Sequence, residues 1–75
     1  MKQNLALANY MKLHYKVEIK QVTVDGEDYY QARIPKLPNL EVYVKDKAEI
    51  PAELTAAKRE WFAAQMQHNQ PIPSP

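Results

Sequence analysis

The sequence predicts an α+β domain: a three-stranded antiparallel meander plus one amphipathic helix. Three observations carry that expectation. Two runs of alternating apolar and polar residues meet at Asp25-Gly26, a third follows a proline-bounded link, and beyond Asp46 the apolar spacing changes from two to three and four.

Residues 1–12 place Leu7, Tyr10 and Met11 at helical spacing and are read as a short helix that needs packing to persist. From Leu13 the alternation is strict, with Leu13, Tyr15, Val17 and Ile19 apolar and His14, Lys16, Glu18 and Lys20 polar, the mark of a strand buried on one face. After Gln21 the apolar positions move to Val22 and Val24, which suggests a bulge or a twisted outer end. Asp25-Gly26 suits a tight hairpin turn, where positive φ angles are required and Gly26 carries no steric penalty.

The second strand sets Tyr30, Ala32 and Ile34 on one face and Tyr29, Gln31 and Arg33 on the other, until Pro35 stops it. Pro35-Lys36-Leu37-Pro38-Asn39 is a stiff connection, and Leu40, Val42 and Val44 alternate with Glu41, Tyr43 and Lys45 in a third strand. Ile50, Leu54, Ala57, Trp61 and Ala64 then define one face of a helix from about Pro51 to His68, because proline is tolerated in a first turn and residues 46–50 serve as the approach. Asn69 is a plausible terminator. Residues 70–75, Gln-Pro-Ile-Pro-Ser-Pro, must be extended, as a frayed tail or a short fourth strand at a sheet edge. The expected core is Leu13, Tyr15, Val17, Ile19, Tyr30, Ala32, Ile34, Leu40, Val42, Val44, Leu54, Ala57 and Trp61, with the opposite sheet face left to solvent or a partner.

Length and composition narrow the function classes. The 75 residues leave room for a single domain, 1–75, which buries roughly 60% of its unfolded surface and is therefore marginal on its own. With no cysteine there is no disulfide, thiolate zinc site or cysteine nucleophile, and His14 and His68 lie too far apart in sequence to close a metal site by themselves. Oligomerisation is the remaining route to extra stability. Ten basic residues balance nine acidic ones, so no overall field draws the chain to nucleic acid or membranes. The apolar stretch Leu5 to Ala8 is too short for a signal peptide and no long apolar run follows, so a soluble, cytoplasmic protein with no membrane partner is expected.

Few constellations offer chemistry. Asp25, Glu27 and Asp28 beside the turn form the densest acidic cluster, but they lack the spacing of a calcium loop and read better as solvated turn residues. His14 beside Tyr29 and Tyr43 suggests acid–base work, yet no serine, threonine or carboxylate is placed to complete a nucleophilic set. His68 is assigned to the helix dipole. No catalytic residue, metal ligand or cofactor is therefore assigned, and the protein is expected not to be an enzyme. The polar sheet face carries more information. It collects His14, Lys16, Lys20, Tyr29, Arg33, Tyr43 and Lys45 with Glu18 and Glu41, four cations against two carboxylates and a net +2. Such a face suits single-stranded RNA, a protein partner or solvent.

Taken together, Tyr15-Lys16-Val17-Glu18-Ile19, the turn, Tyr30-Gln31-Ala32-Arg33-Ile34-Pro35-Lys36-Leu37-Pro38, the strand after it, Ala57-Lys58-Arg59-Glu60-Trp61 in a helix and the closing Pro71-Ile72-Pro73-Ser74-Pro75 resemble the HicB-like antitoxin family. The resemblance runs from about residue 10 to residue 75 and rests on the order and spacing of these segments. It implies a partial ribonuclease H-like fold, β-β-β-α-β, a HicA-type RNA-cleaving toxin as partner, and dimers or higher homo-oligomers. It departs from the family pattern at Asn39, where most members carry glycine, and at Ile50-Pro51-Ala52, where an acidic-acidic-alanine stretch opens the helix. The chain stops where a second, DNA-binding domain of many members begins, so DNA is not an expected partner. RNA bound directly on the open sheet face is the alternative.

Overall fold

The structure is a computed structural model that describes residues 5–75. Its elements run α1 (Leu5–Met11), β1 (Glu18–Val24), β2 (Glu27–Arg33), β3 (Glu41–Val44), a 3-10 turn (Lys47–Glu49) and α2 (Ile50–Gln67). The sheet has the order β1-β2-β3 with both pairs antiparallel, as the meander requires. Of the expected N-terminal helix, residues 5–11 are helical and 1–4 lie outside the described residues.

The hairpin follows from Asp25-Gly26. Their φ angles of 51° and 80° are the two positive values of a two-residue type I′ turn, whose twist matches the flanking strands. The register then runs without interruption from Val24↔Glu27 to Glu18↔Arg33. No bulge accompanies the change of apolar phase at Gln21. The strand stays regular, so Val22 and Val24 point to the face opposite Ile19, and the helix side of the hairpin end carries Gln21, Thr23 and Asp28 instead. Thr23 Oγ1 donates to Asp28 at 2.7 Å there.

The first strand also begins later than its alternation implies. Leu13–Val17 is irregular, although Tyr15 is buried and Leu13 packs on the core. An extended coil alternates its side chains much as a strand does, and Tyr15 is fixed by the far end of the chain rather than by a neighbouring strand. Its hydroxyl donates to the Pro73 carbonyl at 2.5 Å. Burial, and secondarily the nearby Tyr10, push its phenol above the ordinary value. The closing segment is held but is not a fourth strand. Residues 70–75 form no ladder, since Pro71, Pro73 and Pro75 supply no amide donors. Ile72 packs on the core, and Gln65 Nε2 reaches the Pro71 carbonyl at 3.1 Å.

The core lies between α2 and the β2–β3 half of the sheet: Tyr15, Ala32, Ile34, Leu37, Leu40, Val44, Ile50, Leu54 and Phe62. Of the expected members, Leu13, Tyr30, Val42 and Ala57 are partly buried against this core, and three more lie at or beyond its margin. Val17 and Ile19 are exposed, and Trp61 is half-buried at the margin, where its Nε1 donates to the Pro38 carbonyl at 2.9 Å. Phe62, fully buried, takes the centre. Its ring meets Tyr10 at 5.5 Å, Tyr15 at 6.1 Å and Trp61 edge-on at 5.8 Å. Leu37, from the proline link, joins it at 1% exposure.

The backbone at Asn39 and at the entry to α2 is settled locally. Asn39 takes φ 67°, a left-handed conformation that asparagine tolerates better than most residues other than glycine. At the helix entry, Asp46 accepts from the Ala48 amide at 3.0 Å and Glu49 accepts from the Asp46 amide at 3.4 Å, a capping box one turn ahead of Pro51. Asn69, at φ 54°, ends α2. Among the described residues no helix is long and apolar enough to cross a membrane.

Candidate interaction face

The side of the sheet away from α2 is built by parity. Residues directly opposite in an antiparallel pair share a face, so Glu18, Lys20, Val22 and Val24 of β1 stand with Glu27, Tyr29, Gln31 and Arg33 of β2 and with Glu41 and Tyr43 of β3. Lys45 extends the same face: its ammonium pairs with Glu27 and lies 4.8 Å from the centre of the Tyr29 ring. Five of the seven predicted site residues, Lys20, Tyr29, Arg33, Tyr43 and Lys45, are therefore brought together. His14 and Lys16 are not. They sit in the irregular segment before β1, exposed and outside the sheet register.

The face is cross-linked by polar contacts. Arg33 meets Glu18 at 3.1 Å across the β1–β2 pair. Gln31 Nε2 donates to the Tyr43 hydroxyl at 2.8 Å and to Glu41 at 3.3 Å, while the Tyr43 hydroxyl donates to Glu41 at 3.3 Å. Each of these pairs is solvent-exposed and contributes little to stability alone, within about 1 kcal/mol. Their effect on charge is larger. Lys20, Arg33 and Lys45 are matched by Glu18, Glu27 and Glu41, so the assembled face is neutral rather than net +2.

Glu27 is the residue that sequence reasoning misplaced, by grouping it with Asp25 and Asp28 as a turn acid. The signal was present: a two-residue turn makes Glu27 the first residue of β2, with the parity of Tyr29 and Arg33. The supposed acidic cluster consequently splits, with Glu27 turned to Lys45 and Asp28 to Thr23 on the other face. Among the described residues no group of three potential ligands could hold a metal ion.

At the hairpin end, Val24, Tyr29 and Tyr43 line a shallow apolar depression, with Val24 48% and Tyr43 49% exposed. Aromatic rings beside a hydrogen-bonded, charge-balanced surface can make shape-specific contacts with another macromolecule and give phosphate no particular attraction. Comparison with protein-family models, with curated proteins and with solved structures finds no match to this chain.

Proposed function

We propose that the chain is a non-catalytic interaction module of the HicB-like antitoxin type, with a partial ribonuclease H-like core, that binds and blocks a small HicA-type RNA-cleaving toxin. The observation that supports a protein partner is the balance of charge on the open face, where three cations and three carboxylates stand around Tyr29 and Tyr43, four of the six joined in two ion pairs. Tyrosine and arginine are enriched at protein interfaces, and a neutral face forgoes the counterion release that supplies most nucleic-acid affinity. The identity of the partner rests on the resemblance. Its segments meet in space: Ala32, Ile34 and Leu37 of the central motif are core residues, and Tyr15 bonds the closing Pro73.

The test is co-expression with a HicA-type toxin encoded beside this reading frame. The expected result is rescue of growth and co-purification, with Tyr43→Ala lowering affinity about tenfold or more. Failure to rescue or bind any of a panel of such toxins overturns the reading. RNA binding on the same face is favoured only by the apolar Val24, Tyr29 and Tyr43 depression. Salt-sensitive binding of single-stranded RNA that is lost in Tyr43→Ala would replace the toxin reading.

A further inference from the structure

We propose that β1 pairs antiparallel with β1 of a second copy, about a two-fold axis at Ile19, to make one continuous six-stranded sheet. The edge is open. Because the type I′ turn makes Val24 and Glu27 a hydrogen-bonded pair, bonding toward β2 falls on alternate residues, and the N–H and C=O groups of Ile19, Gln21 and Thr23 point outward. Among the described residues no backbone group pairs with them. Sheet edges of this kind accept another strand unless charge or shape prevents it. The edge at β3 is shorter, four residues against seven.

Charge selects the partner and the register. Centring the axis on Ile19 sets Glu18 opposite the partner's Lys20 and Lys20 opposite the partner's Glu18, on the open face, while Ile19 meets its own copy on the helix side. Centring it on Glu18 or Lys20 opposes like charges, and centring it on Gln21 sets both charged residues against valines. Among the described residues Lys20 has no ion pair in its own chain, whereas Glu18 already holds Arg33 and would gain a second cation. The apolar residues that α2 leaves uncovered on this strand and just before it, Ile19 at 45% and Val17 at 38% exposure, lie at the join. Val17 falls opposite the partner's Gln21, and the outward-pointing groups of Ile19 and Gln21 provide the ladder. The charges that usually blunt an edge are here spaced so that, of the antiparallel registers centred on Glu18, Ile19, Lys20 or Gln21 of β1, the one at Ile19 is complementary and the others are not.

Sedimentation velocity on the full chain tests this, with far-UV circular dichroism to show that each variant folds. The parent is expected to dimerise at micromolar to submillimolar concentration. Lys20→Glu, which opposes carboxylates twice per dimer, should raise the dimer Kd about tenfold or more. The double variant E18K/K20E, which restores opposite charges across the two-fold axis, should recover it. Amide exchange at Ile19 and Gln21 should slow with concentration in the parent and not in Lys20→Glu. A parent that stays monomeric at submillimolar concentration overturns the proposal. So does a dimer that Lys20→Glu leaves intact, one that the double variant fails to restore, or one in which the Ile19 and Gln21 amides exchange freely.

Discussion

The two halves of the sheet carry similar side chains in very different surroundings. On β2 and β3, Ala32 and Val44 are sealed under α2, and the link between these strands adds Ile34, Leu37 and Leu40. On β1, Ile19 faces the same side and is 45% exposed. The difference comes from width. A helix with its side chains is about 10–12 Å across and strands lie about 4.8 Å apart, so one helix covers about two strands. The second helix does not extend the cover, because α1 packs against α2 and brings Tyr10 to Phe62. Alternation reveals which residues share a face, but cover depends on what is stacked above it. On β1 this leaves Ile19, an apolar side chain on the helix side, outside that cover.

The largest test of this contrast substitutes the two halves in turn. Phe62→Ala removes the ring at the centre of the covered half and should cost about 3–5 kcal/mol in urea unfolding, a large share of the stability of so small a domain. Ile19→Ser, measured in dilute solution where any dimer has dissociated, should stay within about 0.5 kcal/mol of the parent. Comparable losses from both would mean that β1 belongs to the core after all.

The same contrast explains what could be read from the residues. The hairpin was legible because Asp25-Gly26 admits few alternatives, and the three strands and long helix were legible from period. The helix ran as expected within one residue at each end. Its buried face was less clear, since Ile50, Leu54, Trp61 and Phe62 all fit one broad stripe, and only packing against Tyr10 and Tyr15 puts Phe62 at the centre. Leu37 was hidden because it lies in a proline link with no period to mark it. For the candidate face, the parity of Tyr29, Arg33, Tyr43 and Lys45 survived, while His14 and Lys16 dropped out when the strand began at Glu18 rather than Leu13. Charge balance was misread through two residues: Lys16, which drops out with the segment before β1, and Glu27, whose strand partner is set by the turn and whose cation is the sequence-distant Lys45.

A smaller effect is expected at the exposed tip of the hairpin. Gly26→Ala meets nothing within 4 Å of the added methyl group, so packing is unaffected, and the cost should be the conformational strain of φ +80° alone, about 1–2 kcal/mol. The loss should appear in the stability of the monomer. A change below about 0.3 kcal/mol would mean that the uncovered hairpin relaxes its turn freely, making β1 softer than its regular register implies.

The smallest and most specific effect belongs to Tyr15, which ties the covered half to the closing segment. Tyr15→Phe keeps the ring against Phe62 and deletes the hydrogen bond to Pro73, for an expected loss of about 0.5–1.5 kcal/mol at neutral pH. Its pH dependence gives a second readout. Burial raises the phenol in the folded chain above its ordinary value of 10.0, so the folded state keeps a proton that the unfolded chain gives up first. The stabilising contribution is complete below pH 10 and is lost as pH rises from there through the folded value. The other four tyrosines are common to both proteins, so in the difference between parent and Tyr15→Phe their titration largely cancels. That difference, followed by urea midpoint, should be flat at neutral pH and narrow above pH 10. A difference that instead widens with alkalinity would mean that Tyr15 ionises more easily when folded, placing its hydroxyl in water and the closing segment outside the core.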